Sequence, residues 1–358
     1  ASAILLIALI VVTVLANWIA KPIKGASEFA KGLSQLNLDL PQPKSSPLHE
    51  IQSLSEAMVN MRGALNTFLK YAPKDLVQDL VTSGKSAEIG GRRQEVTLMF
   101  TDIADFTTIS EKLSPEDVMN YMSIYFEQMG EAISEQNGVI DKFIGDAIMA
   151  MWNAPLLNSH HVSDACSAAL RASRSSNELN AELAANNFPE LWTRFGLHSC
   201  EALVGNIGAP DRMQYTSLGA GVNLASRIEG LNKFYKTQIL VSDTVRTNAG
   251  ERFLFRRIDL VTAKGTTRPV TVFELLGERD EQSDFYIGGD AIRRAVKYEQ
   301  AFDFYLHRDF EDAVNILEGL NDSAPEDYVV EKLLERCRRF IVEPPDRKWD
   351  GSTALDEK

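Results

Sequence analysis

The sequence has little cysteine. Its three cysteines, Cys166, Cys200 and Cys337, lie far apart in a chain of 358 residues. They have neither the close spacing of a zinc site nor the density of a disulfide framework. This pattern excludes a small, disulfide-stabilised extracellular domain, and it indicates a reducing compartment for the soluble part of the chain.

Positive charge is also scarce. The chain has 37 lysines and arginines against 50 aspartates and glutamates, which gives a formal net charge of −13 at pH 7. A general nucleic-acid-binding protein needs a basic face, so we expect no nucleic-acid partner. The composition, 44% hydrophobic and 24% charged, is that of an ordinary globular protein, and the length suits two or three domains.

Charge is absent from residues 1–20, which read ASAILLIALIVVTVLANWIA. This run is just long enough to cross a bilayer as a helix. Trp18 suits the membrane interface, and Lys21 and Lys24 follow it, which marks the cytoplasmic side. We therefore predict a transmembrane helix at 1–20, a location in the inner or plasma membrane, and a cytoplasmic chain after Lys21.

A signal peptide is the alternative interpretation of residues 1–20. It fits poorly because no basic region precedes the apolar run and no small-residue cleavage site follows it. The sequence begins without methionine inside the apolar run. We therefore expect a fragment with an upstream sensor part.

Two amphipathic segments follow the apolar run. Apolar residues recur at heptad-like steps from Ile19 to Leu33 and again from Ile51 to Phe68. The second seam predicts coiled-coil packing in a parallel dimer. The connector between them, NLDLPQPKSSPL, is rich in proline and serine and is therefore not helical.

The order of these parts resembles a HAMP signal-transducing module. A Lys-Pro pair (Lys21, Pro22) opens the first helix after the membrane run, and His49-Glu50 opens the second. We predict this module at 21–72 and a linker at 73–92; a passive coiled coil is the alternative.

The C-terminal region, 278–358, has a helix–turn–helix pattern of apolar residues from Tyr298 to Leu317, ended by Pro325. It resembles a single tetratricopeptide-like helical hairpin. One such unit cannot bury its own face, so it should pack on the catalytic domain or on a partner. Trp349 lies in a polar, extended tail and is expected to dock on a neighbouring surface.

Two carboxylates stand at the edges of apolar, strand-like runs. Asp102 ends VTLMFTD, and Asp146 follows Gly145 and opens AIMAMW. If these runs pair as neighbouring strands, both carboxylates meet at one end of a sheet. Such hard oxygen ligands suit Mg²⁺ and the phosphates of a nucleotide; the alternative is that both are strand-end or turn residues.

Three motifs, FTDIADFTTISE, IGDAIMAMW and YTSLGAGVNLASRIEG, together resemble the class III adenylate/guanylate cyclase catalytic domain, over 93–277. The resemblance implies an α/β (α+β) fold with a ferredoxin-like, antiparallel-rich sheet. It also implies a head-to-tail homodimer with active sites at the subunit interface. By the same resemblance, Asp102, Asp146 and the Ile103 carbonyl bind two Mg²⁺ or Mn²⁺ ions per active site.

The resemblance assigns purine recognition to Lys142 and Thr216. A lysine ammonium only donates hydrogen bonds and can serve adenine N1, while a threonine hydroxyl can accept from the adenine 6-amino group. Guanine has the opposite pattern on that edge, and guanylyl enzymes of the family carry an acidic residue at the lysine position. The pair therefore favours ATP; an ordinary exposed strand lysine is the alternative.

Further residues match family positions that contact ribose and phosphate. Asn223 and Arg227 lie four apart, on one face of a helix; by resemblance the first orients the ribose and the second stabilises charge on the α-phosphate. Arg194 and Lys264 match residues that bind the triphosphate. The alternative for each basic residue is a solvated surface side chain.

The loop after Asp102 feeds a helix N-terminus, where the backbone N–H groups of Phe106 and Thr107 can hold phosphate. Asp105 departs from the family, which commonly has glycine there. An extra carboxylate would repel phosphates, so we expect its side chain to point outward.

We expect the site residues to divide between two subunits. Asp102, Asp146 and Arg194 form the metal and phosphate side. The base and transition-state side consists of Lys142, Thr216, Asn223, Arg227 and Lys264. The sequence thus predicts a membrane-bound adenylate cyclase regulated through a HAMP relay. The rivals are a guanylate cyclase and a catalytically silent nucleotide-binding module.

Overall fold

The computed structural model describes residues 2–69, 71, 76–77, 81, 88–186, 188–262 and 269–354. The chain forms two compact units, Ala1–Glu88 and Ile89–Lys358. Most of the predicted linker, and Lys264 with its loop, lie outside the described residues.

The first unit begins with one long helical run, Ser2–Ser34, which is long and apolar enough to cross a membrane. Its parts are α1 (Ser2–Leu15), a π-helical turn (Ala16–Ala20) and α2 (Lys21–Ser34). The side chains of α1 are exposed along its whole length, as a bilayer-spanning helix requires. The helical run continues through the Lys21-Pro22 pair. Proline has no backbone N–H to donate, and the π-helical turn directly before this pair already interrupts the regular α-helical hydrogen bonds there.

After an extended connector, α3 (His49–Phe68) packs on α2. Arg62 links the two helices and the connector: its guanidinium lies 5.4 Å from the centre of the buried Phe29 ring, and it donates a 2.9 Å hydrogen bond to the Leu40 carbonyl. Gly32 lets the connector approach, since a Cβ atom there would lie 1.8 Å from the Leu40 side chain. The connector is non-helical, as its proline content predicts.

The seam of α3 is only partly covered within this unit. Leu54, Met61 and Phe68 are 49%, 58% and 61% exposed. Large apolar side chains at heptad spacing that remain exposed in a single chain are typical of a helix that packs on another copy.

The second unit is built on a nine-stranded sheet. Its strands are β1 (Gly90–Ile103), β2 (Val139–Ile144), β3 (Ala147–Trp152), β4 (Thr193–Ala209), β5 (Arg212–Leu218), β6 (Ile239–Ser242), β7 (Phe253–Thr262), β8 (Val270–Glu278) and β9 (Thr353–Ala354). The spatial order is β2-β3-β1-β4-β6-β8-β7-β9, with β5 pairing with β4. All pairs are antiparallel except β4–β6 and β7–β9, which agrees with the predicted antiparallel-rich sheet.

Eight helices accompany the sheet in the described part of this unit. They are α4 (Phe106–Ser110), α5 (Pro115–Ser134), α6 (His161–Ala185), α7 (Ala220–Tyr235), α8 (Asp243–Asn248), α9 (Gly289–Leu306), α10 (Phe310–Ser323) and α11 (Tyr328–Val342). The start of α5 follows from its sequence: Ser114 caps it by accepting a 3.1 Å hydrogen bond from the Asp117 N–H, and Pro115 occupies its first turn.

The sheet separates two sets of core contacts. Helices α5 and α6 supply side chains such as Tyr125 and Ala169 to a core that also contains Trp152 and Phe195 of the sheet. Helices α7 and α9 to α11 belong to another core, which contains Tyr235 and Tyr298. The C-terminal helices therefore pack on the catalytic sheet, one of the two locations that the sequence predicts for them.

The predicted C-terminal hairpin corresponds to α9 and α10, and α11 follows it as an additional helix. Pro325 ends α10 as expected, but Asp327 then restarts the chain as a helix by accepting from the N–H groups of Val329 and Val330. The polar tail returns to the sheet as β9. Trp349 docks on the Tyr305 ring, with ring centres 5.0 Å apart.

A fully buried carboxylate joins this C-terminal part to the sheet. Asp259 of β7 is 0% exposed and accepts two hydrogen bonds from Arg336 of α11, at 3.1 and 2.8 Å. It also accepts from the Tyr235 hydroxyl, at 2.7 Å, and from Thr353, at 3.2 Å. Three elements, α11, α7 and β9, are therefore fixed to one carboxylate of β7, and their hydrogen bonds satisfy the buried charge.

Candidate active site

Sheet register brings Arg194 to Asp102. The two residues face each other as partners on β4 and β1, and the Arg194 Nη2 group binds the Asp102 carboxylate. The Arg194 side chain is only 12% exposed. A cross-strand pair is a strong constraint on side-chain position, so the two residues form a fixed group at the end of β1.

Asp146 joins this group from the neighbouring hairpin. It lies in the turn between β2 and β3, and β3 pairs antiparallel with β1, as the sequence predicts. The Ile103 N–H donates a 3.1 Å hydrogen bond to Asp146 Oδ2. The two predicted ligand carboxylates and Ile103 therefore lie together at one end of the sheet.

The environment of Asp146 suits a cation. Burial raises the pKa of the Asp146 carboxyl, and the negative charge of Asp102 within hydrogen-bonding reach raises it further. Two carboxylates offer oxygen ligands of the kind that Mg²⁺ prefers, and the Ile103 carbonyl stays a predicted further ligand. The described part of the chain has no cluster of three or more His, Cys, Asp or Glu side chains suited to a metal. An ion held by Asp102 and Asp146 would therefore need further ligands, such as oxygen atoms of the substrate.

Glu229 of α7 is a third carboxylate in this group. It lies 3.4 Å from Arg194 Nε. The pKa of Glu229 is raised to about 8. Burial is the largest cause and the negative charge of Asp102 adds to it, while the positive charge of Arg194 lowers this pKa. The close approach depends on Gly196 of β4, because a Cβ atom there would lie 2.1 Å from the Glu229 backbone nitrogen.

The loop after β1 has one unusual backbone conformation. Asp105 adopts the left-handed region, with φ of 56°. Glycine enters this region at no steric cost, and aspartate is among the few other residues that tolerate it. The Asp105 side chain is exposed, and Phe106 and Thr107 begin the five-residue α4. That Asp105 points away from a bound phosphate stays a prediction. Their phosphate-binding role stays a prediction.

Lys142 and Thr216 meet in the same chain. The Lys142 ammonium donates a 3.2 Å hydrogen bond to Thr216 Oγ1, although β2 and β5, which carry them, are not neighbours in the sheet. The pair thus combines a fixed donor with a hydroxyl. This arrangement can read two adjacent positions on the edge of a purine.

Asn223 and Arg227 lie one turn apart on α7, as predicted. Asn223 is exposed and Arg227 is partly exposed. Within the described residues the Arg227 guanidinium forms no ion pair. It therefore remains available to an anion.

The predicted site residues form two separate groups. Within the described part of the chain, no hydrogen bond or ion pair joins the group of Asp102, Asp146 and Arg194 to the pair of Lys142 and Thr216. The assignment of these two groups to opposite sides of a shared site stays a prediction.

The family model of the adenylate and guanylate cyclase catalytic domain matches residues 90–277, slightly more than half of the chain. The chain belongs to this family. The predicted class III cyclase domain is thereby confirmed, and the cyclase domain extends from β1 to β8.

Known proteins resemble the chain over this domain and beyond it. Adenylate cyclase 1 of Rhizobium meliloti is 41% identical over 278 residues, which cover 77% of this chain and 41% of that protein. The crystal structure of the guanylyl cyclase Cya2 shares 31% identity and a TM-score of 0.51, and covers 56% of this chain. The adenylyl cyclase CyaB from P. aeruginosa shares 28% identity with the same TM-score, covering 55%. The matches cover the whole of both crystallised chains.

The chain thus spans about two fifths of the length of the Rhizobium relative. The two crystallised proteins are named for different purines, since Cya2 is a guanylyl cyclase and CyaB is an adenylyl cyclase. The fold of the cyclase domain is therefore shared by both substrate classes, and the side chains that face the base must distinguish them.

Two residues of the cyclase domain were missed by sequence reasoning. Glu229 contacts Arg194, and Asp141 contacts both Lys142 and Thr216. A signal for Asp141 existed, because it stands directly before Lys142 within the DKFIGD segment. For Glu229 the contact depends on a glycine more than 30 positions away, which local sequence patterns do not reveal.

Proposed function

We propose that the chain is an adenylate cyclase, which converts ATP to 3′,5′-cyclic AMP and pyrophosphate. The observation that carries this proposal is the contact between Lys142 and Thr216 in a cyclase domain that also holds the Asp102–Asp146–Arg194 group. The ammonium would donate to adenine N1, and the hydroxyl would accept from the 6-amino group. Guanine would place an N–H against the ammonium.

Cyclisation requires the ribose 3′-oxygen to attack the α-phosphorus as the bond to the β-phosphate oxygen breaks. Asp102, Asp146 and the Ile103 carbonyl would hold two Mg²⁺ or Mn²⁺ ions per site. When bound, these ions would activate the attacking oxygen and stabilise charge on the leaving pyrophosphate. The mutual repulsion of the two carboxylates supports this assignment.

Asn223 and Arg227 would act at the reacting centre. The guanidinium of Arg227, which forms no ion pair within the described residues, would bind oxygens of the α-phosphate as negative charge builds on them. The Asn223 amide, one helical turn away, would orient the ribose. Arg194 and Lys264 would bind the triphosphate.

The catalytic unit would be a head-to-tail homodimer. Each chain would contribute Asp102, Asp146 and Arg194 to one site and Lys142, Thr216, Asn223, Arg227 and Lys264 to the other. The separation of these groups within one chain supports this division.

The first unit would connect this dimer to the membrane. The apolar helix would span the bilayer with the cyclase domain in the cytoplasm, and α2, the connector and α3 would form a HAMP module. Exposed heptad side chains on α3 would pack against those of a second chain. A signal that changes this packing would alter the shared sites.

A guanylate cyclase is the second candidate, because the structurally similar Cya2 is a guanylyl cyclase. The deciding experiment supplies the full chain in detergent micelles with ATP and GTP separately, with Mg²⁺ or Mn²⁺, and quantifies cyclic AMP and cyclic GMP. We expect cyclic AMP as the main product. Preferential formation of cyclic GMP would refute the assigned roles of Lys142 and Thr216.

A further inference from the structure

Asp141 lies at an irregular point of β2. The pairing of β2 with β3 shifts register between Ile140 and Lys142, so Asp141 is the extra residue of a β-bulge. Successive side chains in a regular strand point to opposite faces, but a bulge can re-aim them. Here both Asp141 and Lys142 reach Thr216.

The Asp141 carboxylate is surrounded by hydrogen-bond donors. Its side chain is 0% exposed. It accepts from the Thr216 hydroxyl, from Gln214 Nε2 at 3.2 Å and from the Ser217 backbone N–H, and the Lys142 ammonium lies 3.4 Å away. Burial raises the pKa of the Asp141 carboxyl, while the Thr216 hydrogen bond and the Lys142 charge lower it. Four donors facing one carboxyl group fit its ionised form, which only accepts.

These contacts fix the direction of the Thr216 hydroxyl. A hydroxyl has one proton to donate and two lone pairs that accept. The Thr216 proton goes to Asp141 Oδ2, and one lone pair accepts from Lys142. The hydroxyl therefore has only acceptor capacity left for a ligand.

We propose that Asp141 is a specificity-determining positioning residue, which makes Thr216 a hydrogen-bond acceptor and so selects adenine over guanine. The inference rests on the proposed function, in which Lys142 and Thr216 read the purine. A free hydroxyl would rotate and donate to guanine O6 as readily as it accepts from the adenine 6-amino group. With its proton held by Asp141, it meets guanine O6 with a lone pair, and the guanine carbonyl is left unpaired.

The test compares kcat/KM for ATP and GTP in the full chain carrying Asp141→Asn. The introduced amide has the size of the carboxyl group but can donate to Thr216, which releases the hydroxyl proton for guanine O6. We expect the ratio of kcat/KM for ATP to that for GTP to fall about ten- to a hundredfold. Asp211→Asn is the matched control, because Asp211 is exposed in the turn between β4 and β5, and its ratio should stay unchanged.

A purely structural role gives a different result. If Asp141 only stabilises the fold, Asp141→Asn lowers both kcat/KM values by the same factor or leaves both unchanged, and the proposal is overturned. If the variant does not fold, Thr216→Asn in the native background replaces it. There Asp141 would take the new amide N–H and leave the amide oxygen facing the base, so ATP preference should persist; a reversal to GTP would overturn the proposal.

Thr216→Val separates this inference from the proposed function. It removes the acceptor while leaving Asp141 in place, so it should lower the ATP-to-GTP ratio if Thr216 reads the base. If Thr216→Val lowers the ATP-to-GTP ratio of kcat/KM but Asp141→Asn leaves that ratio unchanged, only the proposed role of Asp141 is rejected. An unchanged ratio in Thr216→Val rejects base reading by Thr216, and the inference about Asp141 with it.

Discussion

Arg194 lies directly opposite Asp102 on the neighbouring strand, and its guanidinium binds the carboxylate that is predicted to hold the metal. The same guanidinium lies 3.4 Å from Glu229, and Asp146 stands beside Asp102. One cation thus serves the carboxylates of Asp102 and Asp146 in this part of the described structure, beside Glu229, whose raised pKa of about 8 favours its protonated form at pH 7. This imbalance makes the group sensitive to the loss of Arg194 and responsive to added divalent ions.

Replacing Arg194 with alanine should destabilise the cyclase domain most strongly in the absence of metal. The change leaves partly buried carboxylates without their cation, which we expect to lower the free energy of unfolding by about 2 kcal/mol. Mg²⁺ should restore part of this loss by supplying positive charge. Urea denaturation of the chain in detergent micelles, with EDTA and with Mg²⁺, measures both effects.

Arg93→Ala is the control for this prediction. Arg93 also forms an ion pair between β1 and β4, with Glu201 at 3.1 Å, but both side chains are largely exposed. Its removal should change little, with or without Mg²⁺. An equal loss in both variants, insensitive to metal, would contradict a cation site beside Asp102.

Mixing inactive chains tests whether sites are shared. Asp102→Ala and Arg227→Ala should each reduce cyclase activity at least about a hundredfold, because each removes a group that acts on the reacting phosphate. In a head-to-tail dimer of the two variants one of the two sites is intact. Random mixing should therefore restore about a quarter of wild-type activity.

A mixture of Asp102→Ala with Asp146→Ala chains provides the matched control. Both residues belong to the same group, so each site in a mixed dimer lacks one of them, and activity should stay low. Recovery in this control, or failure of the first mixture to recover while dimers form, would refute the division of residues between chains. Size-exclusion chromatography with light scattering verifies the dimer.

His198 should make stability depend on pH. Burial lowers the pKa of His198 to about 4, and its Nδ1 atom lies 2.9 Å from the Ser242 hydroxyl. Between pH 6.5 and 4 the unfolded chain binds a proton at His198 that the folded chain does not bind. The neutral, buried His198 therefore contributes its full stability to the fold above pH 6.5, and this stability is lost as the pH falls toward 4. The lowered pKa corresponds to about 3 kcal/mol.

Comparison with His198→Gln isolates this contribution, because acidic groups titrate in both proteins. The free energy of unfolding of the wild type should fall more steeply between pH 7 and pH 4 than that of the variant. Parallel curves from denaturation at each pH would show that His198 is not the source.

Replacing Arg336 with leucine should destabilise the second unit by about 3–5 kcal/mol, because it leaves the fully buried Asp259 carboxylate without its cation. Arg338→Leu is the control, since its ion pair with Glu318 is about half exposed and should matter little. Adding Asp259→Asn to Arg336→Leu should recover part of the loss. Denaturation curves of the four proteins check this, and equal effects of both arginine changes would count against the buried clamp.

Oxidative cross-linking tests the predicted packing of α3. Leu54 lies on the exposed apolar seam, so Leu54→Cys should form a disulfide-linked dimer in membranes under mild oxidation. Glu56→Cys, exposed but off the seam, should cross-link far less. Non-reducing electrophoresis measures both, and equal yields would argue against a specific helix pair.

The juxtaposition of Asp102 and Asp146 could be predicted from sequence because its signals are local. Asp102 ends one apolar run and Asp146 opens another, and the pairing of β1 with β3 brings the two runs together. The prediction that Lys142 and Thr216 act together rests on the motif in which each of them lies, and their purine-reading role stays a prediction. What could not be predicted was that they touch within one chain, since β2 and β5 are not sheet neighbours.

The contacts that escaped prediction are polar, buried and distant in sequence. In the sequence Asp259 has the pattern of an ordinary strand residue. Its partner Arg336 lies on α11, a helix that begins at a cap formed by Asp327. Periodicity indicates which helix face is apolar, but it does not indicate which buried charge a distant arginine will meet. The extent to which the C-terminal helices complete the cyclase core could therefore be learned only from the structure.

The hydrogen bond from Thr353 to Asp259 has a consequence for synthesis on the ribosome. Thr353 follows Asp259 by 94 positions, and β9 pairs with the end of β7. At translation rates of about 5–20 residues per second, the emerging β7 waits several seconds before its last partner leaves the exit tunnel. Until then a carboxylate destined for the interior stays hydrated, so the nascent cyclase domain can reach its final packing only after nearly all of this sequence has been translated.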